Sequence, residues 1–209
     1  MTARLAQARE RAVTAALDLV AAHGWAGASV TAIAAGAGMS AGALYRHFPS
    51  KADLLVEVFR RAAGREVSVL EDVARAEAVA AGSSGELLRQ AVSVFARRAL
   101  DGPVLAFALL AEPADPAVEA ERLVYRRRFR DVFAAIVRAG VARGELPGQD
   151  PDLTGAALVG AISEILIGPL SHARDRGADP GLVARLCVLA LRCAGGQPAM
   201  GRLELEETP

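Results

Sequence analysis

Apolar positions recur along this chain at three- and four-residue steps, and strict alternation is nearly absent, so helices are the expected element throughout. Leu5, Val13, Leu17 and Val20 lay one stripe on a first helix that ends near Gly24, a glycine set just after His23 as a C-terminal stop. Ser29 caps a short second helix through Val30, Ile33 and Ala34, interrupted at Gly36-Ala37-Gly38. A third begins after Ser40 and runs to about His47, where Phe48-Pro49 breaks it. Ser50-Lys51-Ala52-Asp53 is a capping box opening a fourth, whose inner face carries Leu54, Leu55, Val58 and Phe59. Farther on, Asp115-Pro116, Asp150-Pro151 and Asp179-Pro180 each set an N-cap carboxylate before a first-turn proline. Ser83-Ser84-Gly85-Glu86 is a further capping box. These signals predict helices over roughly 51–79, 84–100, 103–111, 116–142, 151–173 and 180–194. The expected fold is all-α, about nine helices, divided into domains at 1–50 and 51–195 with an aperiodic tail at 196–209.

Composition adds bounds. The 209 residues are 53% hydrophobic and 23% charged, enough apolar material for a full core, and the formal net charge is +0. The charge is unevenly placed. Residues 1–64 hold seven basic side chains (Arg4, Arg9, Arg11, Arg46, Lys51, Arg60, Arg61) against four acidic ones (Glu10, Asp18, Asp53, Glu57), so a positive head precedes a negative body. Cys187 and Cys193 lie six apart on one expected helix, which points them in different directions; buried thiols are expected, not a disulfide. His23, His47 and His172 have no metal-ligand spacing, no serine sits in a Gly-x-Ser-x-Gly elbow, and Gly36-x-Gly38 follows no strand. No catalytic residue, metal or cofactor is therefore expected, nor enzymatic activity. Met1-Thr2-Ala3-Arg4 opens no signal peptide, and no uninterrupted apolar run reaches the length of a membrane span, so a cytoplasmic protein without a membrane partner is expected.

The most informative stretch runs from Ser29 to Lys51. Two short helices joined by a tight glycine turn make a helix-turn-helix, with Gly38 free to take positive φ. Ile33, Ala34, Met39 and Leu44 would close the small core between them, with Phe48 behind. Ala41, Gly42 and Ala43 are small enough to bring the backbone close to a groove. Tyr45, Arg46, His47 and Lys51 add donors on the exposed side for phosphates or base edges. His47 reads equally well as a helix-terminal cap.

Residues 10–60 resemble the DNA-binding domain of TetR/AcrR-type repressors. The resemblance is carried by Gly24-Trp25, Ser29-Val30-Thr31, Ile33-Ala34, Ala37-Gly38-Met39-Ser40 and the run Gly42-Ala43-Leu44-Tyr45-Arg46-His47-Phe48 with Ser50-Lys51. It implies a homodimer that spans a palindromic double-stranded DNA operator, with the third helix in the major groove. It further implies phosphate contacts from Thr31, Tyr45 and Lys51, with Ser40, Ala41, Gly42, Ala43 and Arg46 facing the bases or the backbone beside them. The family's common pattern has lysine at the position of Ala41 and threonine at that of Ala43. Readout here would therefore rest on Arg46 and on apolar contact with thymine methyls. A helical protein-interaction module without specific DNA binding is the alternative that these missing donors leave open.

No motif stands out in the second domain. The resemblance implies a cavity for a small-molecule effector among the middle helices, for which Phe95, Phe107, Phe129, Phe133, Ile162 and Ile165 are candidates. Large apolar residues at helical spacing are equally the ordinary core. Arg122 and Arg126-Arg127-Arg128-Arg130 form a dense basic patch, mostly solvated, with Glu119 within helical pairing reach of Arg122. Glu164 interrupts an apolar run and is expected to face water. The helices near 151–173 and 180–194 are apolar on more than one face. The resemblance implies that they pair with their symmetry mates, through Gly155, Gly160, Leu182, Leu186 and Leu189.

Overall fold

The computed structural model describes residues 2–79, 82–171 and 179–196, with the side chains of 2–3 and 76–79 outside it. The expected tail after Gly196, and His172, lie outside the described residues. Among the described residues there are nine helices and no strand: α1 (Thr2–Gly27), α2 (Val30–Gly36), α3 (Ala41–His47), α4 (Lys51–Val79), α5 (Ser84–Asp101), α6 (Pro103–Leu110), α7 (Pro116–Ala142), α8 (Pro151–Ser171) and α9 (Leu182–Cys193).

Local chemistry sets most of these boundaries. Ser29, Ser40 and Ser83 each turn a hydroxyl back to accept the backbone N–H three residues on. Ser50 accepts the Asp53 N–H at 3.1 Å and donates its own hydroxyl to the Asp53 carboxylate at 2.7 Å. Asp115 accepts the Ala117 N–H, and Asp150 those of Asp152 and Leu153. The Asp179 carboxylate likewise takes the Gly181 N–H at 2.8 Å, but Pro180 and Gly181 form a turn, so α9 starts two residues later than expected.

Two apolar clusters hold the helices. The first gathers Val13, Val20, Ile33, Leu44, Phe48, Leu54 and Phe59 from α1–α4, and reaches past residue 50 to enclose Ala108, Val118 and Tyr125. The second gathers Leu70, Leu88, Phe133, Ile136, Leu158, Ile162, Leu166 and Leu186 from α4, α5 and α7–α9. Helix α4 runs through both. The eight residues of α6 are apolar all round and sit between them, with Leu105, Ala108 and Leu109 on the first cluster and Ala106, Phe107 and Leu110 against the second.

Helix α8 is long and apolar enough to cross a membrane by length and composition alone. It packs against α5, α6, α7 and α9, which explains the apolar residues on its inner side. Both cysteines are free thiols. Cys187 is buried, and burial pushes its thiol up from the ordinary value; Cys193 is exposed, contrary to the expectation of two buried thiols, because it lies on the outer side of the last turn of α9.

The N-terminus of α5 is anchored on the far end of α7. Ser84 is fully buried, its N–H donates to Glu145 Oε2 at 2.5 Å, and Arg143 donates to the Ser84 hydroxyl. The Arg143 guanidinium, then the Ser84 N–H, hold the Glu145 carboxyl down at about 2. A depressed carboxylate contributes stability that is complete above its ordinary value of 4.5 and disappears as pH falls through about 2. Thermal unfolding between pH 5 and pH 2 is therefore expected to show a steeper loss of stability for the natural protein than for Glu145→Gln. Parallel curves would contradict the anchor.

Candidate functional site

The helix-turn-helix is shaped by its caps and one glycine. After α2 the chain turns at Gly38 with φ +64, and the Met39 N–H returns to Ala34 O at 2.9 Å. Any other residue at Gly38 would meet the left-handed backbone penalty. Ile33, Ala34 and Leu44 are buried and Met39 is half-buried against them, so the two helices close on one another as expected. Only Leu44 on α3 is buried. Thr31, Ser40, Ala41, Gly42, Tyr45, Arg46 and Lys51 are exposed, while Ala43 and His47 are partly so. Tyr45 is 49% exposed, high for so large a ring.

Most basic residues of the head are already engaged. Arg9 pairs with Glu57 at 3.2 Å and lies 4.8 Å over the Phe48 ring. Arg11 donates to Ala37 O, Arg60 pairs with Glu121 and Arg61 with Glu10. Among the described residues Arg4, Arg46 and Lys51 have no such partner, so two of the three free cations of the domain stand at the end of α3 and the start of α4.

The structure places a cavity of about 100 Å³ behind this domain, where α4, α5, α6, α7 and α8 meet. Its wall is chiefly apolar: Phe59 from α4, Phe95 from α5, Leu105, Leu109 and Leu110 from α6, Phe129 from α7 and Val159 from α8. Of the residues singled out in the sequence, Phe95 and Phe129 line it, ring centroids 5.4 Å apart and edge to face. Phe107, Phe133 and Ile162 do not, because they fill the second core, and Ile165 is 37% exposed on the outer side of α8. Its polar members are Glu66, Arg98, Arg122, Tyr125, Arg126 and Ser163. Glu66 and Arg98 form a two-pronged ion pair at 2.6 and 2.7 Å, which raises the arginine further.

The residues expected to face a partner copy divide in two. A side chain on Gly155 would come within 2.8 Å of Arg130 O, so this glycine serves the packing of α8 on α7. Leu182 and Leu186 are buried within the chain. Gly160 has open space beside it and Leu189 is half-buried.

One cluster was not legible beforehand. The end of α1 breaks at Gly24, with φ +72, and the following residues dock on the C-terminal end of α6. Trp25 donates its indole N–H to Ala108 O at 2.8 Å, and its backbone N–H to Glu112 Oε2 at 2.9 Å. The Ala26 N–H reaches Glu112 Oε1 at 3.4 Å. Arg122, expected in a solvated basic patch, is instead buried at 9% exposure. It donates to the carbonyls of Ala108, Leu109 and Glu112 and pairs with Glu119. Arg122 thereby satisfies carbonyls that the end of α6 leaves without helical partners. The Trp25 ring stacks on Phe59 at 6.2 Å, and Phe59 meets Tyr125 edge to face at 5.7 Å. Phe59, Tyr125 and Arg122 all line the cavity. The only available signal was a lone tryptophan after a glycine, which sequence patterns cannot connect to a glutamate 87 positions away.

Helices alone among the described residues, with an exposed helix-turn-helix at one end and a lined cavity behind it, are the layout of a DNA-binding regulator that also binds a ligand. Residues 12–58 match the bacterial regulatory proteins of the tetR family, and residues 81–166 match the tetracyclin repressor-like C-terminal domain. The chain belongs to the tetR family of bacterial transcriptional regulators. No curated protein sequence matches it. Among solved structures it is similar to the fatty acid degradation regulator FadR of Bacillus halodurans (TM-score 0.72, 22% identity, covering 88% of this chain and 94% of that one). It is also similar to FadR of Bacillus subtilis in complex with stearoyl-CoA (TM-score 0.72, 19% identity, 90% and 99%) and to RolR in complex with resorcinol (0.70, 20%, 94% and 92%).

The Gly24 seat has a direct test. An added Cβ would lie 2.5 Å from Glu112 Oε2, and positive φ alone costs an L-residue about 1–2 kcal/mol. Gly24→Ala is expected to lower the denaturation midpoint measurably more than Gly148→Ala, where a Cβ meets open space. Equal midpoints would contradict the seat.

Proposed function

We infer that the protein is a homodimeric repressor that sets two α3 helices into successive major grooves of a palindromic operator and lets go when a small molecule fills the cavity. The observation that carries this reading is the double attachment of α6. Its Leu105, Leu109 and Leu110 form cavity wall, while Ala108 O at the same helix end holds the Trp25 indole of the DNA-binding domain. Helix α4 offers a second connection, since it begins at Lys51 and contributes Phe59, Ala63 and Glu66 to the cavity.

In this reading Thr31, Tyr45, His47 and Lys51 bind phosphates, and Ser40, Ala41, Gly42, Ala43 and Arg46 approach the bases. Ala41 and Ala43 supply no hydrogen bonds, so Arg46 carries the polar part of base readout. The chain would dimerise through the outer side of α8, where Leu153 is 69% and Ile165 37% exposed beside Gly160, with Leu189 of α9 at its edge. A two-fold axis there would set the recognition helices one turn of DNA apart, about 34–36 Å. Effector entry would shift the population toward a state in which that spacing no longer fits. Two neighbours of the same fold are bound to stearoyl-CoA and to resorcinol, which agrees with a small-molecule effector here. The site of action would be the cytoplasm, where operator DNA is.

Titration against DNA from upstream of the gene, followed by fluorescence anisotropy, tests the reading. Lys51→Ala is expected to lower the salt-dependence slope by about 0.9, as loss of one phosphate contact should. Arg46→Ala should cost about 1–3 kcal/mol of preference for operator over unrelated DNA. Sequence-indifferent binding by the natural protein would contradict specific repression.

A further inference from the structure

We propose that the cavity is built for a small amphipathic organic anion: an apolar body no larger than one aromatic ring or a short acyl chain, bearing a carboxylate. The proposal rests on the reading of the cavity as an effector site and deepens it. Size comes first. About 100 Å³ is of the same order as the roughly 150 Å³ of an apolar cavity that accepts benzene, so one ring or a short chain is the most it encloses, and it is well below the ~300–1,000 Å³ of ordinary ligand pockets. A long acyl chain does not fit the cavity as it stands.

Charge comes second. Three arginines line the cavity against one glutamate. Arg98 is spent on Glu66, which leaves that pair neutral. Arg122 is spent on three carbonyls and Glu119. Arg126 has no hydrogen-bond or ion-pair partner among the described residues, and it is exposed, which places an uncompensated cation at the mouth. A cationic ligand would meet this charge unopposed, whereas a carboxylate would pair with it in a partly dry setting.

The third observation is Ser163. It is 5% exposed, lies in the wall contributed by α8, and makes no hydrogen bond among the described residues. No side-chain oxygen among the described residues is both sealed off and unpartnered, so the Ser163 hydroxyl opens into the cavity and can meet a ligand there. The wall between Phe95 and Phe129 therefore takes the apolar body, Arg126 takes the carboxylate, and the Ser163 hydroxyl bonds an oxygen of the ligand.

The chain's single tryptophan makes the test optical, because Trp25 stacks on Phe59 of the cavity wall. Benzoate and hexanoate would be titrated against the full chain in parallel with benzamide, benzylamine and hexanol, reading Trp25 fluorescence and the thermal midpoint. The two carboxylates are expected to bind at least about tenfold tighter than the neutral and cationic probes, a difference of about 1.4 kcal/mol. Arg126→Gln should abolish that preference while leaving hexanol binding unchanged, and Ser163→Ala should weaken both carboxylates. Equal binding of benzoate and benzamide, or a preference that survives Arg126→Gln, would overturn the anion assignment and leave the effector cavity standing. If no probe of any charge moves either signal at millimolar concentration, the effector reading itself fails along with the proposal.

Discussion

The Glu112 carboxylate accepts two backbone N–H groups from the end of α1, and Ala108, one turn before it, accepts the Trp25 indole. These bonds satisfy donors at a chain break that would otherwise be half-buried and unpaired, the condition most costly to a folded backbone. They exist only because Gly24 turns with positive φ and leaves no Cβ where the carboxylate sits. They also need Arg122, which neutralises the carbonyl end of α6 from the opposite side. The orientation of the DNA-binding domain on the rest of the molecule depends on this small polar knot within apolar surroundings.

Around the knot, ion pairs run between helices: Arg60 with Glu121 joins α4 to α7, Arg61 with Glu10 joins α4 to α1, and Arg98 with Glu66 joins α5 to α4. Exposed pairs contribute about 0–1 kcal/mol each, and of these three Arg61–Glu10 is the most exposed and Arg98–Glu66 is half-buried, so they bias the arrangement and do not fix it. Apolar contact does more. Phe59 is the side chain common to the first core, the Trp25 stack and the cavity wall, so a molecule entering the cavity touches a residue on which the front domain is packed. Small displacements there have somewhere to go, because α6 is short, apolar on every side and wedged between two clusters.

What was readable in advance follows from the range of each interaction. The caps at Ser29, Ser40, Ser50 and Ser83 act over three residues, and the helices begin where they predict. The split of α3 into a buried Leu44 and an exposed Tyr45 and Arg46 follows from helical periodicity. Packing between distant segments was not readable. Phe129 and Phe133 lie one turn apart on α7 and look alike in sequence, yet one borders the cavity and the other fills the core. Gly155 and Gly160 are the same residue on the same helix, one pressed against Arg130 O and the other open. Arg122 stood among arginines that face water and turned out to be the buried one, because the carbonyls it serves come from another helix.

If α6 truly holds the end of α1, the Trp25 indole N–H is among the slowest-exchanging protons in the front half of the molecule. Hydrogen exchange of that single indole resonance, followed by NMR in the free protein, measures this without any ligand. The account predicts protection close to that of the core amides, falling by orders of magnitude in Glu112→Gln while amides of the second core, such as Phe133, keep theirs. Exchange of the natural protein's indole at the rate of an exposed side chain would mean that the two domains are not joined there.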